Sequence, residues 1–305
     1  MSGLYVVIPA YNEDIALEKT VLDVLKNKCV SKVVIVDNNS TDKTNSIGRR
    51  LAKENERVIF HFEGRQGKGH AFKSGLELSS EADYVGIIDA DDTYPAIEFD
   101  YLYSELIANN IDMIVGNRLA NNAYSESNTR FGHVIGNKVL SKLIKLISSV
   151  EIEDALSGFR IFSKRYIKSF KSISDGFQLE TEFSVHCGQN GFSYAEREVH
   201  YAERDETNPS KLSTFRDGFK ILRFALTNTA FTFTSKIGIF SGFLSLLLGI
   251  LFGLNLVFEY VNQGEVNSVA LAVVVSIFIS TGIQLLLTGI VESRLRRIEK
   301  NIMRR

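Results

Sequence analysis

Tyr84-Val85-Gly86-Ile87-Ile88-Asp89-Ala90-Asp91-Asp92 is a short apolar run that stops abruptly in three carboxylates within four residues. The run has the length and composition of one buried β-strand. Like charges crowded at a strand end repel one another and resist desolvation unless a cation balances them. A hard divalent ion, Mg2+ or Mn2+, bound by one or two carboxylates and by substrate phosphates, supplies that balance. Asp89 and Asp91 are therefore the candidate metal ligands and the first candidate catalytic residues. Alone, Asp-x-Asp is a weak motif that also occurs on solvated loops. The buried strand before it and Pro95 after it strengthen the functional reading.

The same grammar recurs on either side. Leu4 to Ile8, Val33 to Val36, Val58 to Phe62 and Met113 to Val115 are further short β-branched runs that read as buried strands. Between them Leu17, Val21 and Leu25, and then Leu102, Leu106 and Ile107, fall at helical spacing. Alternating strands and helices predict an α/β domain with a mostly parallel sheet, in which ligands bind at the carboxyl ends of the strands. Two more strand ends are polar: Pro9-Ala10-Tyr11-Asn12-Glu13 and Asp37-Asn38-Asn39-Ser40-Thr41-Asp42. The second also suits a strand-to-helix turn with an N-cap, so Asp37 and Asp42 have a structural reading beside the functional one. Gly67-Lys68-Gly69 has neither Walker A spacing nor Gly-x-Gly-x-x-Gly, since position 72 is Phe. It reads as a tight turn opening a helix through Leu78, with Lys68 near phosphate. His61, His70, His133, His186 and His200 show no paired metal spacing and read as structural.

Composition narrows the class. The 305 residues carry a formal net charge of -1, so no basic field points to nucleic acid. Two distant cysteines, Cys29 and Cys187, argue against a disulfide framework or a Cys-based metal site and fit a reducing compartment. Met1-Ser2-Gly3-Leu4 shows no basic region leading into an apolar stretch, so the main domain is expected to be cytosolic.

The last third differs. Residues 237–258 and 269–291 are uncharged and long enough to span a bilayer. The loop between them, Glu259 to Ser268, has no Lys or Arg, whereas the tail carries Arg294, Arg296, Arg297, Lys300, Arg304 and Arg305. The positive-inside rule places that tail, and with it the N-terminal domain, on the cytoplasmic face of the inner membrane. Phe215, Phe219, Leu222 and Leu226 alternate with Arg216, Lys220 and Arg223, as in an interfacial amphipathic helix, although a helix packed on the main domain fits as well. The expected layout is a catalytic domain over 1–212, an interfacial helix over 213–235, a two-helix hairpin over 236–292 and a basic tail over 293–305. Paired hairpins offer a route to a homo-oligomer, but nothing in the sequence counts subunits.

Taken together, these motifs resemble those of the inverting family 2 glycosyltransferases of the GT-A fold, a Rossmann-like α/β fold, and in particular the polyprenyl-phosphate type. The resemblance covers essentially the whole chain. Pro9 to Glu13 matches the opening motif, and Asp89-Ala90-Asp91 the metal motif. Further matches are Gly67-Lys68-Gly69, Gly116-Asn117-Arg118, Ser157-Gly158-Phe159-Arg160 and Ser210-Lys211-Leu212. The usual Val-Asp-Asp-Gly-Ser is here Val36-Asp37-Asn38-Asn39-Ser40, with two departures, and Thr93 stands where mannose synthases often carry Gln.

The resemblance implies that Pro9, Tyr11, Glu13 and Asp37 hold the nucleoside, with Lys68 and Asp89 at the diphosphate. It implies an acceptor-phosphate site of Arg118, Arg130 and Lys211, which Arg204 joins as a cation nearby in sequence, with Asp154 among the candidate catalytic residues, and it brings Glu180 and Glu182 near the donor. A sugar hydroxyl needs a general base. A phosphate monoester, with a second pKa near 6, does not, and calls for cations instead. The expected reaction is transfer of one sugar from a nucleotide sugar, a UDP-sugar before GDP-mannose, to undecaprenyl or dolichyl phosphate. A tethered enzyme acting on a saccharide or lipid hydroxyl is the alternative. A processive polysaccharide synthase is disfavoured, because the chain contains no Trp for the Gln-x-x-Arg-Trp motif. A non-catalytic membrane scaffold predicts loss of the metal carboxylates, which are present.

Overall fold

A computed structural model describes residues 3–119, 141–142, 145, 150–171, 174–176, 178–202 and 214–303. Arg130, Arg204 and Lys211 lie outside the described residues. The chain divides into two compact units, Met1–Leu226 and Thr227–Arg305.

The first unit alternates as the sequence predicts. Its elements are β1 (Leu4–Ala10), α1 (Leu17–Leu25), β2 (Val30–Asp37), α2 (Thr44–Glu54), β3 (Val58–Phe62), α3 (Lys68–Leu78) and β4 (Tyr84–Ile87). A 3-10 turn (Ala96–Glu98), α4 (Phe99–Ala108), β5 (Met113–Asn117), β6 (Arg160–Ser163), α5 (Lys164–Ser169), α6 (Leu179–Asn190) and β7 (Tyr194–Glu198) follow. The sheet order is β3-β2-β1-β4-β6-β5-β7, and among the described strands only β6 runs against the rest.

Both faces of the sheet are covered, which is why its central strands read as unbroken apolar runs. Leu4, Val6, Ile8, Val33 and Ile35 pack with Leu17, Val21 and Phe99 on one face. Tyr5, Val7, Val34 and Val36 pack with Phe72, Phe162 and Phe183 on the other. This is the α/β, mostly parallel, GT-A-like architecture. Strands β6 and β7 were not expected from the sequence. Strand β6 is four residues long and opens on an arginine, and β7, Tyr-Ala-Glu-Arg-Glu, is a half-exposed edge strand without an apolar run.

Strand order turns at β1, with β2 on one side and β4 on the other. The carboxyl ends of these strands are where an open α/β sheet places its ligands. Asp37 ends β2 there, and the Asp89 loop follows β4.

The second unit contains the continuation of α7 (Thr214–Gln263), which begins in the first unit, and α8 (Val269–Met303). The segments expected separately as an interfacial helix and a first span belong to one helix, and the basic tail continues α8 as far as Met303. Two 27-residue stretches, Ile237–Gln263 and Val269–Leu295, are apolar enough to cross a membrane, and only 11% of either window is buried. A soluble core helix hides its apolar face. These leave Phe240, Phe243, Phe258, Ile277 and Leu287 outward, as helices facing lipid do. They pack antiparallel at close range: a Cβ on Gly242 would lie 2.8 Å from Leu286 N and 2.9 Å from Gly282 O. Ser245 Oγ donates to Phe278 O at 2.7 Å.

Candidate active site

Two loops, at the carboxyl ends of β1 and β2, are stitched together by turn chemistry. The Asn12 N–H donates to Ser40 Oγ (3.0 Å), Thr41 N–H to Asn12 Oδ1 (2.8 Å), and Glu13 N–H to Thr44 Oγ1 (2.8 Å). Pro9 and Tyr11 border this seam, half-buried, and Glu13 is buried. Asp37 is fully buried, with Oδ1 accepting from Ser40 N–H (3.2 Å) and Oδ2 from Asn45 Nδ2 (2.6 Å). The turn reading of Asp37 therefore holds in this structure.

The two departures in the second motif have local causes. Asn38 Nδ2 donates to Arg65 O (2.7 Å) while its Oδ1 accepts from Gly67 N–H (2.6 Å). An aspartate can do only the second. Asn39 sits at φ 59, the left-handed region where the motif's usual glycine is replaced most readily by asparagine.

At the end of β4 the three carboxylates separate. Asp91 Oδ1 accepts from Thr93 Oγ1 (2.6 Å) and Thr93 N–H (3.3 Å). Asp92, at φ 58, pairs with the exposed Lys19 at 2.5 Å. Lys68, the first residue of α3, places Nζ 2.5 Å from Asp89 Oδ1 and 2.5 Å from Glu180 Oε1. Burial disfavours its ammonium, but the two carboxylates outweigh that, so Lys68 titrates above the ordinary lysine range. Gly158 lies against Asp89: a Cβ there would meet Asp89 Oδ2 at 2.3 Å.

The loop that carries Gly158 also carries Asp154, which has no solvent exposure. Arg118, just beyond β5, grips it bidentately, Nε to Oδ2 at 2.7 Å and Nη2 to Oδ1 at 2.8 Å, and adds its own backbone N–H at 3.1 Å. The guanidinium lies 5.8 Å from the Tyr94 ring and 5.5 Å from the Tyr201 ring, within cation–π range. Tyr94 Oη accepts from Gly158 N–H at 2.9 Å and is pushed well above the usual tyrosine range, first by burial.

Beneath this pair the loop is braced twice. Glu196 of β7 accepts the N–H groups of Glu153 (2.9 Å) and Asp154 (2.8 Å), and burial raises its carboxyl. Arg160, fully buried, donates to Ala155 O (2.7 Å), Ser157 O (3.1 Å) and Ser184 Oγ (3.1 Å). Burial pulls its guanidinium below the usual arginine range. Glu182 accepts from Ser174 N–H at 3.1 Å.

The structure thus joins Lys68 to Asp89 and Glu180, and Arg118 to Asp154. Tyr94, Tyr201 and Glu196 were missed by motif reading, because each acts through a residue distant in sequence. Asp89 and Asp91 offer hard oxygen donors on one short loop. Among the described residues no group of three His, Cys, Asp or Glu side chains could cage an ion. That donor set fits Mg2+ or Mn2+ completed by a diphosphate better than a metal held by protein alone.

Residues 5–170 match the model of glycosyl transferase family 2. The chain is 28% identical over 307 residues to glycosyltransferase AglJ of Haloferax volcanii, covering 98% of this chain and 96% of that one. It is 26% identical over 218 residues to a dolichyl-phosphate hexose transferase of the same organism, covering 72% and 90%. Among solved structures, glucosyl-3-phosphoglycerate synthase of Mycobacterium tuberculosis, in complex with Mn2+, UDP and glucosyl-3-phosphoglycerate, shares the fold with a TM-score of 0.60. The identity there is 19%, over 75% of this chain and 80% of that one. With the family model spanning more than half its length and glycosyltransferases among its full-length relatives, the chain is a glycosyltransferase belonging to glycosyl transferase family 2.

Proposed function

We propose that this enzyme transfers a single sugar from a nucleotide sugar, a UDP-sugar in preference to GDP-mannose, to a membrane polyprenyl phosphate, with inversion. The observation that carries the acceptor reading is the bonding of Asp154. A hydroxyl acceptor needs a base to take its proton. Asp154 has both oxygens engaged by Arg118 in a site without solvent exposure, and protonating it would break that pair. A phosphate monoester arrives already ionised and has no such need. Asp154 then acts as a positioning residue for Arg118, and Arg118, Arg130, Arg204 and Lys211 offset the repulsion between an anionic acceptor and an anionic donor.

On the donor side, Pro9, Tyr11, Glu13 and Asp37 border the nucleoside, while Lys68 and Asp89 face the diphosphate. Asp89 and Asp91 hold Mg2+ or Mn2+, which when bound neutralises charge developing on the leaving nucleotide. The two apolar helices keep residues 1–212 at a bilayer, facing the cytosol, where the basic tail directs them. Relatives support this reading in kind: one is named for a dolichyl-phosphate substrate, and a structural neighbour binds UDP with Mn2+.

Membranes containing the protein, incubated with a panel of labelled nucleotide sugars and then extracted, test the acceptor. Label in the lipid phase from one donor is expected; label only in water-soluble saccharide sinks the lipid reading. Asp91→Asn is expected to abolish transfer without lowering the thermal midpoint, and wild-type-like turnover would remove Asp91 from the metal site. Lys211→Ala is expected to raise the KM for lipid acceptor while leaving nucleotide binding unchanged; an unaltered acceptor KM removes it from that site.

A further inference from the structure

Lys68 is held at both ends. Its backbone lies between Gly67, at φ 139, and Gly69, whose N–H donates to Asp175 O at 3.0 Å. A Cβ on Gly67 would lie 2.0 Å from Asp175 O, and one on Gly69 2.0 Å from Ser174 O. The start of α3 is therefore pressed directly onto the segment that leads into α6, and the first turn of α6 carries Glu180. Glu180 is buried, and its carboxylate reaches back to Lys68 Nζ. The same ammonium lies on Oδ1 of Asp89, whose other side is closed by Gly158. With its backbone fixed and two carboxylates on its ammonium, Lys68 presents a charge that any second cation approaching Asp89 must meet.

We propose that Lys68 is a resident cation of the metal site, balancing Asp89 before a divalent ion binds and competing with that ion for the carboxylate. Glu180 is the positioning residue that gives the ammonium a second anion. The two side chains therefore act on metal affinity with opposite signs: Lys68 lowers it and Glu180 raises it. Lys68 offsets one of the three carboxylate charges of Asp89, Asp91 and Glu180, which lessens the repulsion on Asp89 without metal. This inference rests on the assignment of Asp89 and Asp91 as metal ligands in the proposed function.

The test is titration of the purified full-length protein with Mn2+ alone, following free aqueous Mn2+ by electron paramagnetic resonance. Lys68→Met is expected to bind Mn2+ about tenfold tighter than the wild type, the scale of one neighbouring charge at a partly screened site. Glu180→Gln is expected to bind it several-fold more weakly, since the ammonium then has only Asp89 to neutralise. The double variant replaces the ion pair with a neutral pair and guards against a misfolded single variant; it too is expected to bind more tightly than the wild type.

Equal binding by the wild type and both Lys68 variants, including no detectable binding by any, overturns the proposal. Asp91→Asn separates the two failures. If it binds Mn2+ as the wild type does, the metal assignment itself fails. If it loses the ion while Lys68→Met merely matches the wild type, the assignment stands and the resident cation does not.

Discussion

The half of the sheet built from β1 to β4 and the half built from β5 to β7 fix their candidate functional side chains largely by different means. In the first, Asp37, Asn38 and Asp91 are bonded largely to turn residues within a few positions or on the adjoining loop, and Asp89, held by Lys68, is the exception. In the second, Asp154 depends on Arg118, 36 residues away, and its loop on Glu196, 42 residues away. Losing one turn bond costs about the worth of a single hydrogen bond, because the other bonds of the turn still hold the residue. Breaking a buried charge pair costs more, because its survivor keeps a charge that the site cannot solvate. The contrast predicts that the second half is the more fragile under single substitutions, although the first holds the metal motif.

Asp154→Ala is the sharpest way to break that contrast. It leaves Arg118 without its bidentate partner and is expected to cost about 3–5 kcal/mol, read as a large fall in the chemical-denaturation midpoint in detergent. A loss under 1 kcal/mol would place the second half on the same footing as the first.

Next comes pH. His186 sits among Tyr166, Phe170 and Phe192, and burial lowers its pKa from 6.5 to about 4. The unfolded chain binds the proton first, so stability is full above pH 6.5 and declines as pH falls from 6.5 toward 4. The loss is expected to reach about 2–3 kcal/mol. His186→Phe should flatten the decline; an unchanged pH profile in that variant assigns the effect to other groups.

The smallest expected effect belongs to the first half. Asn38→Asp puts a carboxylate oxygen against Arg65 O in place of a donor, at a cost of about 1–2 kcal/mol. A loss as large as that of Asp154→Ala would erase the distinction.

The same contrast governs what could be read beforehand. Strands β1, β2 and β4 announce themselves because burial on both faces calls for apolar runs, and the polar residues after them lie at the carboxyl edge. Asp89 and Asp91 were legible for that reason. The departures at Asn38 and Asn39 were visible as departures, but their causes were not. One needed the Arg65 carbonyl, which the fold brings across a loop, and the other a left-handed backbone. Strand β7 was hidden because charges alternate along an edge. Arg118 and Asp154 were each identifiable as family positions, while their mutual grip was not, since no periodicity links residues that a sheet brings together. Glu180 was placed near the donor on motif grounds; its bond to Lys68 needed the contact between α3 and the segment before α6.

The contact at Gly242 and Gly282 has a mechanical consequence. Where backbone meets backbone, sliding one helix past the other by a residue or two would drive a larger side chain into that gap, so the register of α7 against α8 is fixed. Two helices locked in register present an apolar band of set height. In a bilayer thicker or thinner than that band they can adjust only by tilting together or by deforming the lipid around them, not by telescoping. Hydrophobic mismatch is thus felt by the hairpin as a single body.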